Sequence, residues 1–242
     1  MKKIASILVL AFFTIATSAQ SLIPIKYGIK AGLNFSSLNI TPSIDGVKPT
    51  VNSSQAGIAA GICVHIALSD KWFINPEVLY SQKGASFNYN FTHDYPVNQR
   101  AEYATTNQLV LSYIELNPTF SFKASDKIAL NFGPSVSYLI SDADYTMTNV
   151  ELISGIQGIN ENSLWPGSYE STELDVALNI GVSYFITEDL LIDTRVYTGF
   201  LEAGNINIPY QLNLDSSGNQ IVPDAEYKVK NRAIVFSIAY LF

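Results

Sequence analysis

The chain has 242 residues, a formal net charge of −7, 48% hydrophobic residues and 12% aromatic residues. An acidic balance excludes a nucleic-acid partner, which needs a basic patch, and a single cysteine, Cys63, excludes a disulfide-stapled scaffold. Beyond residue 15 no apolar run reaches the roughly 18 residues that a spanning helix needs, so an exported chain this apolar is a soluble β-protein or a membrane barrel.

The N-terminus supplies the export signal. Met1-Lys2-Lys3 is a charged start, Ile4 to Ile15 is an apolar run too short to cross a bilayer, and Ala16-Thr17-Ser18-Ala19 is a small-residue cleavage site. Cleavage is expected after Ala19, which makes residues 1–19 the signal peptide and 20–242 the barrel domain. No cysteine follows the run, so no lipid anchor is expected.

Eight segments then alternate with period two, as strands with one apolar face do. Tyr27, Ile29, Ala31, Leu33 and Phe35 oppose Gly28, Lys30, Gly32 and Asn34; Ala56 to Leu68 oppose Gln55 to Ala67. Ile74, Val78 and Tyr80 oppose Asn75, Glu77 and Ser81, and Ile114, Leu116 and Phe120 oppose Tyr113, Glu115, Asn117 and Ser121. Ile128 to Tyr138 oppose Asn131 to Ser137, and Leu174 to Tyr184 oppose Glu173 to Ser183. Ile192, Val196 and Phe200 oppose Asp193, Arg195, Tyr197 and Gly199. Last, Ile234, Phe236, Ile238, Tyr240 and Phe242 oppose Asn231, Ser237 and Ala239.

The connections decide between water and lipid. Ser69-Asp70-Lys71, Ser125-Asp126-Lys127 and Thr187-Glu188-Asp189 are tight, whereas 39–54, 92–107, 141–170 and 201–228 are long and polar. Strict alternation of short and long is the pattern of an outer-membrane barrel, with short periplasmic turns and long outer loops. Trp72, Tyr138, Tyr184, Tyr240 and Phe242 lie near strand ends on the apolar face, where aromatic girdles belong. Pro76, Pro118 and Pro134 fall inside strands of a barrel that has no edges, so each must mark a bulge or a gap in the ladder. After Gly84 the apolar residues Phe87, Tyr89 and Phe91 take the odd positions, which calls for a bulge or for a strand that has left the membrane. The reading is all-β: an eight-stranded antiparallel up-and-down transmembrane barrel.

Three stretches and the C-terminus resemble the PorT-like outer-membrane β-barrel family of the Bacteroidetes. They are Tyr27-Gly28-Ile29-Lys30-Ala31-Gly32-Leu33-Asn34, Asn131-Phe132-Gly133-Pro134-Ser135-Val136-Ser137-Tyr138-Leu139, Asp193-Thr194-Arg195-Val196-Tyr197-Thr198-Gly199 and the closing Phe242. The resemblance implies the same fold and compartment and carries over no catalytic residue. It also implies that the barrel assembly machinery reads the last strand.

Candidate chemistry is sparse. Cys63 and His65 share the lumen face, but no third ligand lies near them, and lumen filling is the simpler reading. His93-Asp94 with Asp142, Asp144 and Glu170 offer an outer-rim protease or lipid-acting enzyme, and Asp142 with Asp144 offer half a calcium site. No catalytic site, metal or cofactor is assigned. The lumen face also carries Lys30, Glu77, Lys83, Glu115, Glu173, Asp175, Asp193 and Arg195. Counted from the turns, Lys30 and Asp193 lie about four residues up, and Glu77 and Arg195 about six. Arg195 should therefore meet Glu77 across the lumen, with Lys30 and Asp193 alongside and Glu115, from the neighbouring strand and at a greater height, accepting the remaining donors. An eight-stranded barrel is only wide enough for side chains to fill, so these charges should form a plug rather than a solute path. The expected role is non-enzymatic, structural or in binding and assembly, with lipid as the surrounding partner; the alternatives are the rim enzyme and a narrow channel. The chain should fractionate with outer membranes and run faster on a gel unheated than boiled. Recovery as a soluble periplasmic protein would refute the barrel.

Overall fold

The computed structural model describes residues 24–42, 50–95, 99–141, 144–154, 168–209, 211–214, 220–221 and 224–242. The expected signal peptide and Asp142 lie outside them. The described strands are β1 (Ile25–Pro42), β2 (Thr50–Ala67), β3 (Trp72–Tyr95), β4 (Gln99–Lys123), β5 (Ile128–Leu139), β6 (Asp144–Ser154), β7 (Ser168–Ser171), β8 (Leu174–Phe185), β9 (Leu190–Gly199), β10 (Gly204–Pro209), β11 (Gln211–Leu214), β12 (Gln220–Ile221) and β13 (Asp224–Leu241). Eight of them close a ring in the order β1-β2-β3-β4-β5-β8-β9-β13, each antiparallel to the next, and β13 returns to β1 through Gly28↔Leu241 to Pro42↔Tyr227. Closure leaves the ring no free edge, which a sheet in lipid requires.

At one end the ring is laced by three turns of one design. Leu68 N–H donates to Trp72 O at 2.9 Å, Ala124 N–H to Ile128 O at 2.9 Å and Ile186 N–H to Leu190 O at 2.8 Å. The hydroxyls of Ser69 and Thr187 accept from the first strand residue that follows, at 3.1 and 3.0 Å. We call this the turn end. From there upward every apolar face points outward: Ile29, Ile62, Ile180 and Ile238 are all more than half exposed, while Asn34, Asn117, Asn179 and Ser135 on the opposite face are fully buried. That is the inside-out pattern of a lipid-facing sheet.

The prolines sit at breaks in the ladder. Pro76 and Pro118 are cross-strand partners. The β2–β3 pairing skips between Cys63↔Glu77 and Ile66↔Ile74, and the β4–β5 pairing skips between Leu116↔Val136 and Phe120↔Phe132. Each proline thus occupies a position where its missing N–H leaves a gap beside an otherwise regular strand.

The other end differs from the expected loops. Residues 92–107 are the tips of β3 and β4, paired without interruption to Tyr95↔Gln99. The spans 141–170 and 201–228 contain β6, β7, β10, β11 and β12. The β1–β2 pairing stops at Ser36↔Gln55, β4 pairs β6 from Val110↔Asp144 upward, and β13 pairs β10, which pairs β7. The ring therefore divides into β2-β3-β4-β6, which β11 and β12 join through the parallel pairing of β11 with β3, and β1-β13-β10-β7. No bulge occurs in β3 after Gly84, and Lys83, Ala85 and Phe87 all remain inward; the irregularities lie in β2, between Val51 and Ser53 and between Ser54 and Ala59. What changes is the chemistry of each face. On β1 the inward side goes from Asn34 and Ser36 to Leu38 and Ile40, while the outward side goes from Phe35 to Ser37, Asn39 and Thr41. On β13 the inward Tyr227 and Val229 lie above the polar Asn231, with Lys228 and Arg232 outward. Here the strands have left lipid for water, and the apolar side turns in to form a core of Leu38, Ile40, Phe87, Leu109, Ile206 and Val229.

Gly84 marks that level. Its φ of 155° favours glycine, and a Cβ there would stand 1.9 Å from Leu109 O. The Ser36 hydroxyl receives its N–H at 2.7 Å and donates to its carbonyl at 3.0 Å. Phe87→Ala should loosen this head by about 3–5 kcal/mol. In membranes, limited proteolysis should then cut the head strands faster than in the unmodified protein and spare the ring below Ser36; an unchanged cleavage rate would contradict a packed head core.

Candidate functional site

The lumen at membrane depth holds two charged tiers. In the lower one, Arg195 on β9 reaches Glu77 on β3 with two parallel bonds, Nη2 to Oε1 at 2.8 Å and Nη1 to Oε2 at 3.0 Å. Nη1 also donates to Thr119 Oγ1 at 2.9 Å. Lys30 on β1 bonds Glu77 Oε1 at 3.0 Å and also bonds Asp193 Oδ2. The Nε of Arg195 lies 2.8 Å from that same Asp193 oxygen, at an angle unsuited to a hydrogen bond. All four side chains are almost fully buried. Two cations face two carboxylates, so the tier is neutral, and the planar Arg fork matches the carboxylate.

A belt of hydrogen bonds runs from this tier around the wall. His65 Nδ1–H donates to Asn75 Oδ1 at 2.7 Å, Asn75 Nδ2 to Ser121 Oγ at 2.6 Å, and Ser121 to Asn131 Oδ1 at 2.6 Å. Asn131 Nδ2 then donates to Ser183 Oγ at 2.7 Å, and Ser183 to Asp193 Oδ1 at 3.2 Å. Every donor points the same way, from β2 through β3, β4, β5 and β8 to the carboxylate on β9. Ser237 on β13 donates to the Asp193 carbonyl at 3.4 Å. With Lys30, each ring strand gives one residue to the belt.

The upper tier is built on Lys83. Its ammonium lies 2.8 Å from Glu115 Oε2 and 3.7 Å from Asp175 Oδ2, donates to Ser137 Oγ at 3.1 Å, and stands over the rings of Tyr113 and Tyr197 at 5.3 and 5.7 Å. Asn117 donates to Glu115 Oε1 at 2.8 Å, and Asn231 to Asp175 Oδ2 at 2.9 Å. Above it, in the head, Tyr169 donates to Ala203 O at 2.8 Å. Burial, reinforced by nearby Tyr113 and Asp175, pushes the Tyr169 hydroxyl up, so it stays a donor.

Below the lower tier a cavity of about 490 Å³ opens at the turn end, lined in part by His65, Phe73, Lys123 and Phe185. It shares those aromatic walls with an inner space of only about 30 Å³ that reaches Lys30, Glu77 and Arg195. The passage narrows there to about the room of one water.

The outer membrane protein beta-barrel domain family matches residues 18–203. The chain belongs to that family, and it is an outer-membrane protein. Among solved structures, OprG from Pseudomonas aeruginosa is 14% identical over 90% of this chain and 95% of that one, with a TM-score of 0.40. Neisserial surface protein A is 9% identical over 89% and 97%, with a TM-score of 0.40. Outer membrane protein W of E. coli is 14% identical over 90% and 97%, with a TM-score of 0.38. No curated protein matches the chain.

The structure brings together Arg195, Glu77, Lys30 and Asp193. Glu115 is not in that group: it lies a tier higher and is held by Lys83, because its height on β4 matches Ser137 and Asp175 rather than Thr119. Glu173 is not in the lumen either; it precedes β8, is exposed, and accepts from Tyr138 OH at 3.3 Å. Cys63 packs among Leu191, Ala239 and Leu241, while His65 stacks on Phe73 at 4.5 Å and bonds Asn75. These partners fill the lumen without pairing the two as nucleophile and base. Among the described residues no group of three His, Cys, Asp or Glu is placed to hold a metal. Asp144 and Glu170 are exposed in the head, and the side chains of His93 and Asp94 lie outside the described residues. The belt went unseen because Ser and Asn on a lumen face look like filler; the signal was that its polar residues recur at one height above the turns.

Arg195→Ala should lower the unfolding free energy by about 3–5 kcal/mol, less where water enters, because Glu77 and Asp193 lose a buried partner. Arg195→Lys should recover only part of that, since an ammonium cannot make the two-pronged bond. Asp126→Ala, at an exposed turn, should change nothing. Equal melting of Arg195→Ala and the unmodified barrel in detergent would refute a cohesive tier.

Proposed function

We propose that the barrel is a non-enzymatic outer-membrane protein with a plugged lumen, whose water-exposed head serves in structure, binding or assembly. One observation carries this reading: three barriers lie in series along the axis. The neutral Arg195 tier closes the lower lumen, the Lys83 tier closes the middle, and the apolar core from Leu38 to Ile206 closes the top. A solute path would need a continuous hydrated bore, and an eight-stranded ring has no spare width. The turn end faces the periplasm, because short turns are what that side of such barrels carries. The PorT-like motif residues support placement with that Bacteroidetes group, with the assembly machinery as a partner during insertion.

Purified barrel in planar lipid bilayers should show no unitary conductance, and Arg195→Ala should at most give small, flickering steps. A steady ohmic current through the unmodified protein would establish the channel reading instead. A cysteine at Ser125, in a Cys63→Ser background, should resist membrane-impermeant maleimide on intact cells and react after the outer membrane is opened. Labelling on intact cells would invert the orientation.

A further inference from the structure

One strand of the barrel carries positive charge on its outer wall where the wall leaves lipid. Lys228, Lys230 and Arg232 alternate along β13 with the inward Tyr227, Val229, Asn231 and Ala233. All three therefore point outward, about 7 Å apart from one to the next. Among the described residues every other Lys or Arg sits at the turn end, in the lumen or, for Arg100, at the far tip of β4. Where the outward faces of β3, β4 and β5 turn polar they carry Gln82, Ser112 and Tyr138, with the anion Glu173 beside Tyr138. The row on β13 is thus no general girdle of cations. It is a single positive stripe on a chain of net charge −7.

Strand register sets its height. Phe35, Ile234 and Val196 form one cross-strand row on the outside, all exposed and apolar, and so belong to lipid. The next outward row toward the head is Ser37, Arg232 and Thr198, and then come Asn39 and Lys230. Arg232 stands at the first polar step above the acyl chains, which is the level of headgroup phosphates. Lys228 is already engaged, since its ammonium bonds both carboxylate oxygens of Glu202 at 2.9 and 3.2 Å. Lys230 and Arg232 have no carboxylate partner among the described residues. The Arg fork suits two oxygens of a phosphate, and an ammonium two residues away suits a third as a point charge.

We propose that the outer wall of β13 binds a phosphorylated lipid headgroup through Arg232 and Lys230. Ser37, Asn39 and Thr198 supply hydrogen bonds beside the phosphate, and the row of Phe35, Ile234 and Val196 seats the acyl chains. A periplasmic turn end makes the outer leaflet the source of that lipid, and only this clause rests on the proposed orientation. Binding in detergent is independent of it, so the Ser125 labelling and the lipid titration fail separately.

The full-length barrel, freed of lipid in an uncharged detergent, should be titrated with diphosphoryl lipid A and followed by native mass spectrometry. The first lipid retained should be the phosphorylated one, with dephosphorylated lipid A binding about tenfold more weakly or worse. Replacing both cations, Lys230→Gln with Arg232→Gln, should weaken binding about thirtyfold, or about fivefold for each charge. Arg232→Lys should keep most of the affinity. Both side chains lie outside the packed lumen, so each variant should keep the heat-dependent gel shift and the melting midpoint of the unmodified barrel. Lys71→Gln, at an exposed turn, should bind lipid A as the unmodified barrel does. Equal retention of phosphorylated and dephosphorylated lipid by the unmodified barrel would overturn the proposal, because acyl contact alone would explain it. Complete displacement by millimolar inorganic phosphate would do so too, since the site would then take a free anion. Undiminished binding by the folded double variant would place the lipid elsewhere on the wall and overturn it as well.

Discussion

Everything in this molecule follows from closing eight strands into a ring whose bore is only wide enough for its own side chains to fill. Closure satisfies the backbone in a medium that offers no hydrogen bonds. It also aims every second side chain at the axis, where each must find its partners among the other strands. The lumen of Asn, Ser, Thr and seven charged groups is therefore a condition of folding: a charge there without a partner costs more than any one apolar contact returns. Arg195 and Glu77, 118 residues apart in sequence, meet only when the whole ring has closed. The belt from His65 to Asp193 works similarly, since each link crosses from one strand to the next, and shifting any strand by one residue would turn its member outward to lipid.

The direction of the hydrophobic effect explains why the protein changes character along its axis. In lipid, burying an apolar side chain in the lumen gains little, because the outside is equally apolar. Polar groups inside gain from a low dielectric, where hydrogen bonds and ion pairs are stronger. Above the level of Ser36 and Gly84 water surrounds the wall and the balance reverses. Phe87, Leu109, Ile206 and Val229 are fully buried, and each such side chain contributes about 1.5–3 kcal/mol when withdrawn from water. The strands of β1, β3, β4 and β13 run through this boundary without a break, so one strand carries two opposite patterns.

That inversion sets how much was legible in the sequence. The membrane part was readable because its alternation is regular and its turns are short: Tyr27 to Phe35, Leu174 to Tyr184 and Ile234 to Phe242 place each residue on its observed face. The head was not, because a strand with a polar outer face and interrupted alternation reads as loop. Phe87 was visible as an apolar residue out of step with Tyr80, yet it shares the inward face with Glu77 and Lys83; only the solvent outside had changed. Heights within the lumen were legible to about two residues, enough to bring Arg195 to Glu77 and to set Glu115 higher, but too coarse to show that Glu115 belongs with Lys83 instead. Lys83 was the residue that separates the tiers, and its partners come from β4 and β8, whose offsets depend on strand tilt rather than on spacing along one strand.

The same tilt gives the two tiers different tolerances. The lower one is closed upon itself, with each carboxylate held by two cations, so its electrostatics are complete within the chain. It can be rigid, and the cavity beneath it ends against it. The upper tier has a single ammonium shared between two carboxylates at unequal distance, 2.8 and 3.7 Å. Its two aromatic rings stand 5.3 and 5.7 Å from the Lys83 ammonium, and the buried Oδ1 atoms of Asp175 and Asn231 take no hydrogen bond within the described residues. It lies directly under the head, where β9 ends at Gly199 and β10 takes its place beside β13. The point at which the ring gives up one of its strands is thus also the point at which, among the described residues, its interior charge is least balanced.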